Sequence, residues 1–121
     1  MIPIKIFKRN LRDVLHEIAS PEYQERVWVR GLGPETSSFV EAVCTFFEVS
    51  LVDERPVIYW REVGFTDDDI NALERFADEF RAFLKTAPEI PRDIDILANP
   101  IWHGLTNGAA RLLQKLDRVI K

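Results

Sequence analysis

The sequence predicts an all-α fold, a compact bundle of four to six helices forming a single domain over residues 1–121. Three observations predict it. Apolar residues recur at three-and-four spacing along most of the chain. Capping residues, Gly and Pro stand at the edges of those runs. At 121 residues folding can bury roughly two-thirds of the unfolded surface, and with 46% hydrophobic residues and thirteen aromatic side chains that burial offsets the ordering entropy. An α+β alternative pairs segments 2–7, 26–30 and 57–62 in a small sheet, because Ile2, Ile4 and Ile6 alternate and Val57-Ile58-Tyr59-Trp60 is β-branched and aromatic.

The first helix is expected over residues 4–18, with Ile4, Phe7, Leu11, Val14, Leu15 and Ile18 on one face. Ser20-Pro21 restarts the chain, Ser as cap and Pro in a first turn where its missing N–H costs nothing. Tyr23, Val27 and Trp28 then give a short helix ending near Gly31, and Gly33-Pro34 marks a turn. Ser38 and Glu41 have capping-box spacing for a helix whose buried stripe is Phe39, Val43, Phe46 and Phe47. In the contested segment Val63-Gly64-Phe65 favours helix, since it reads as a helix end with a left-handed Gly followed by an apolar residue.

The clearest helix runs over 67–85. Thr66 caps it, Asp67, Asp68 and Asp69 sit at the positive end of its dipole, and Arg81 and Lys85 sit at the negative end. Its stripe is Ile70, Leu73, Phe76, Ala77, Phe80 and Leu84. Residues 87–91 are the one linker-like stretch. Asn99-Pro100 opens a last helix with Ile101, Leu105, Ala109, Leu112, Leu116 and Val119 on one face, and with Gly104 and Gly108 allowing close approach of a neighbour.

Chemistry has few candidates. Lone Cys44 lies in an apolar run and is expected to be a buried thiol in a reducing cytosol. His16 borders a buried stripe and reads as structural. His103, between Trp102 and Gly104, could sit in a pocket, but no nucleophile with a predictable partner accompanies it. Asp93-Ile94-Asp95 has the form of a metal-carrying pair, yet after a Pro-rich turn a helix cap is the expectation. Lys5, Lys8, Arg9 and Arg12 cluster in the first helix, a weak phosphate footprint on a chain of net charge −4. Neither cofactor, metal, direct nucleic-acid binding nor membrane span is expected, and the N-terminus lacks a signal-peptide core, so the expected compartment is the cytoplasm.

Charge is more informative. Residues 31–79 hold twelve acidic and three basic side chains, net −9, while the flanks carry +2 and +3. The acids are not interleaved with lysines, and they bracket aromatic residues in segment 53–62. An aromatic anchor ringed by one sign of charge suits an interface with a basic partner. The expected partner-binding residues are Asp53, Glu54, Tyr59, Trp60, Glu62, Asp68, Glu74 and Asp78.

A small, acidic, helix-rich chain without catalytic motifs, with the texture of the stretch from 31–39 through 64–67, resembles the immunity proteins of bacterial toxin systems, including contact-dependent growth inhibition. The likeness is one of overall character and transfers no residue. It implies a non-enzymatic protein that binds and blocks a cognate toxin domain, often a nuclease. A protein-interaction adaptor or secretion chaperone is the alternative, and a small enzyme using His103 the third reading.

Overall fold

A computed structural model describes residues 2–121. Among them lie seven α-helices, one π-helical segment and no strand. The all-α class is therefore as predicted, and the sheet alternative is not: segment 57–62 is helical, 26–29 is π-helical and 4–7 opens the first helix. The helix number exceeds four to six because two of the seven are a turn or little more.

Helix α1 (Ile4–Ala19) buries Phe7, Leu11, Val14, Leu15 and Ile18, the predicted stripe apart from half-buried Ile4. It packs against both α7 (Pro100–Ile120) and α3 (Phe39–Ser50), and α5 (Asp67–Thr86) closes the bundle against α7. Ser20 caps α2 (Pro21–Tyr23), which runs directly into the π-helical turn Gln24–Val29. That turn buries Gln24 with Val27 and Trp28. The Gln24 amide donates to the carbonyls of Glu17 (2.9 Å) and Ile18 (2.8 Å) at the end of α1, and its oxygen accepts from Trp102 Nε1 at 3.0 Å. The Gln24 side chain thus supplies a donor to the buried Ile18 carbonyl at the helix end and a second one to the Glu17 carbonyl, which also accepts from the Ser20 amide at 3.4 Å.

Trp102 is the hub of the apolar core. Phe39 meets its ring edge-on at a centroid distance of 5.3 Å, and Trp28, Phe80 and Phe83 lie around 6 Å away. The buried apolar residues of all these helices form one cluster.

Two helices depart in part from their expected setting. In α3 the inward residues are Phe39, Ala42, Phe46 and Ser50, with Val43 and Phe47 at the margin. Cys44 consequently faces outward and is exposed, not buried. In α7, Leu105, Ala109, Leu112 and Leu116 are buried as expected, and the difference lies in the first turn, where Trp102 faces inward and Ile101 is 58% exposed. Gly104 has open space where a Cβ would stand, so it brokers no close packing.

Candidate partner-binding surface

Segment 51–62 begins where α3 ends. Leu51 and Arg55 have φ of 64° and 53°, the only non-glycine residues with positive φ among those described. Left-handed backbone at such residues costs about 1–2 kcal/mol each, so tertiary contacts must hold it. Val52 is buried, the amide of Arg55 donates to the Leu51 carbonyl at 3.0 Å, and Trp60 Nε1 donates to the Ser50 carbonyl at 3.2 Å. Helix α4 (Val57–Val63) follows. It ends as predicted at Gly64 (φ 116°), whose amide donates to the Arg61 carbonyl while Phe65 donates to that of Trp60.

This setting of α4 overturns the aromatic anchor. Tyr59 and Trp60 point inward, Trp60 with no exposed surface. The Tyr59 hydroxyl donates to the Ile2 carbonyl and its ring meets Phe7 edge-on. Burial, then the neighbouring Glu62 charge, raises the Tyr59 pKa. With Tyr59, Trp60 and Val63 committed to the core, Ile58 is left 79% exposed on the opposite side. Ile58 and Glu62, one turn apart, line a groove of about 600 Å³ with Arg55, Pro56, Val57 and the edge of Tyr59. Sequence reading missed Ile58, although the helix end at Gly64 and the pattern 59, 60, 63 together fix which side of α4 looks outward.

The predicted acids divide into two groups. Asp53, Glu74 and Asp78 come together in a polar cleft between the 51–56 loop and α5, but with arginines. Arg81 donates to Asp53 Oδ1 at 2.8 Å and to Asp78 Oδ1 at 2.9 Å, with its guanidinium carbon 5.2 Å from the centroid of the Phe47 ring. Arg55 grips Glu74 with two nitrogens, at 2.9 and 3.3 Å. The expectation that these acids stand free of counter-charges is thus corrected: their partners are arginines, and Arg81 lies 28 residues from Asp53 in the chain. Asp53 and Asp78 each engage only Oδ1, so Oδ2 still faces solvent on side chains that are 62% and 77% exposed. Glu54, Glu62 and Asp68 are exposed and make no ion pair among the described residues.

Other sequence candidates have structural duties. Asp93 Oδ1 accepts from the Phe39 amide at 2.9 Å, capping α3 and not its own helix α6 (Asp93–Leu97). Arg12 donates to the Ile120 carbonyl at the end of α7. His103 Nε2 lies 2.6 Å from the Leu97 carbonyl, which ties the exposed ring to the end of α6. Its groove of about 320 Å³ is bordered by Trp102 and Thr106 as well, and Cys44 does not reach it. Among the described residues no group of His, Cys, Asp or Glu is arranged to hold a metal ion, and no helix is long and apolar enough to cross a membrane. No family model, curated protein or solved structure matches the chain.

Proposed function

We propose that this chain is an immunity-type protein that binds and neutralises a cognate basic, nuclease-like toxin domain, with no chemistry of its own. The observation that carries the reading is Ile58, 79% exposed beside the unpaired Glu62 on a helix anchored by buried Trp60. Isolated exposed isoleucines are ordinary. One that stands in a groove, behind a loop held in left-handed backbone and beside free carboxylates, has the form of an apolar anchor with an acidic rim. The free oxygens of Asp53 and Asp78 extend that rim, since a cationic partner can bind them without displacing Arg81. A fixed loop also lowers the ordering cost of association.

Protection of a host cell tests this. Co-expressed with the toxin domain encoded beside its own gene, the wild type should restore growth, and a folded Ile58→Asp/Glu62→Lys variant should not. Full protection by that variant removes the α4 surface from the mechanism. No protection by the wild type removes the immunity reading itself.

A further inference from the structure

A second surface, where α5 faces α7, carries the opposite charge. Helices α5 and α7 run antiparallel: Asp69 meets Arg118, Phe76 underlies Gly108, and Phe83 stacks near Trp102. This register sets Arg75 of α5 opposite Arg111 of α7. Lys115 follows Arg111 by one turn, and all three border a single cavity of about 220 Å³. None of the three is ion-paired among the described residues, whereas seven other arginines are: 12, 26, 55, 61, 81, 92 and 118. A like-charged pair one turn apart, faced by a third cation, is mildly destabilising by itself. Glu79, at the other end of the cavity, leaves the lining with a positive excess.

The floor is shaped for a small guest. A Cβ at Gly108 would lie 3.5 Å from Phe76 and 3.9 Å from Arg111 Nη2, so the bare glycine leaves the groove open beside the guanidinium. Phe76 itself is only 4% exposed and offers no face for a nucleobase to stack on. Two guanidiniums and an ammonium bordering one small cavity supply the charge and hydrogen-bond donors that a tetrahedral oxyanion takes. We propose that this cavity is a binding site for a small phosphate-bearing anion, either free phosphate or the phosphomonoester end of a small metabolite.

Amide correlation spectra of the intact chain, titrated at constant pH and with sodium chloride holding ionic strength fixed, test the site. Inorganic phosphate should produce saturable shifts centred on Phe76, Gly108, Arg111 and Lys115. An Arg75→Gln/Arg111→Gln variant should bind at least about tenfold more weakly, the loss expected when charged hydrogen bonds are removed. Gly108→Leu, which keeps every charge but fills the cavity, should weaken binding too, and Lys8→Gln/Arg9→Gln on α1 should not. Ribose 5-phosphate binding tighter than inorganic phosphate supports the site and assigns it to an ester; equal or weaker binding supports it and assigns it to the free ion. Shifts that do not saturate, that spread equally to Lys5, Lys8 and Arg9, or that keep the wild-type midpoint in either cavity variant overturn the proposal.

Discussion

Arg118 Nη2 lies 2.6 Å from Oδ2 of Asp69, a carboxylate with no exposed surface, and so ties the last turns of α7 to the first turn of α5. The same oxygen accepts from the Thr66 amide at 2.8 Å, while Thr66 Oγ1 accepts from the Asp69 amide at 3.2 Å, completing a capping box. Oδ1 has no partner. One carboxylate oxygen thus serves both the helix cap and the contact between the ends of two helices.

Burial pushes the Asp69 pKa up, but the Arg118 guanidinium and the Thr66 amide and hydroxyl outweigh it and hold the carboxyl below its ordinary value. A folded pKa below the unfolded one gives stability that is fully present above the unfolded value, about 4, and is lost as pH falls through the folded value. Asp69→Ala should therefore cost about 2–3 kcal/mol at neutral pH, combining a lost cap with a lost buried pair. In urea unfolding series the gap between wild type and Asp69→Ala should narrow as pH drops below about 4. A gap that stays constant into strong acid would mean the carboxylate charge contributes nothing.

Phe80 has no exposed surface and lies within 6 Å, centroid to centroid, of Phe46, Phe47, Phe76 and Trp102. Phe80→Ala should cost about 3–5 kcal/mol through lost transfer energy and an unfilled cavity. For a domain with about 5–15 kcal/mol of total stability, that brings it near unfolding. Calorimetry would register a melting point close to wild type if the aromatic cluster could close over the gap.

Cys44 lies on the outer side of α3. Its thiol should react with a disulfide reagent in the native protein without added denaturant. Protection that disappears only on adding denaturant would indicate that the expected burial was correct and that α3 is rotated.

Long helices were readable from the sequence because a stripe repeated over several turns fixes which side faces the core. The α1 stripe was found whole apart from Ile4, and α5 was missed only in the pairing of Leu84 with the more deeply buried Phe83. Short elements lack that redundancy. Over the seven residues of α4 the 59, 60, 63 pattern occurs once without repeating, and the contact that turns Trp60 inward is to Ser50, in the preceding helix. A run of acids around aromatics therefore looked like an anchored interface when the aromatics belonged to the core. The charge pattern was read correctly as composition but not as pairing, because the residues that neutralise Asp53 and Asp69 lie 28 and 49 positions away.

That division between paired and unpaired acids gives the last prediction. Glu54→Lys with Glu62→Lys alters exposed side chains that hold nothing in the fold, so stability should change by less than about 0.5 kcal/mol. Against the purified toxin domain, the double variant should associate more slowly, and its rate should depend less on salt than that of the wild type. Asp53→Asn with Asp78→Asn instead removes both carboxylates from Arg81. Because these pairs are exposed, the stability cost should be about 0–1 kcal/mol for each. If the partner's cations add to the free oxygens, the complex should also dissociate faster, since contacts made after docking are lost. Stopped-flow association and surface-based dissociation at two ionic strengths separate the two effects. Unchanged rates in Glu54→Lys/Glu62→Lys at low salt would show that these acids only solubilise the chain. Unchanged dissociation in Asp53→Asn/Asp78→Asn would confine the Arg81 network to holding the 51–56 loop.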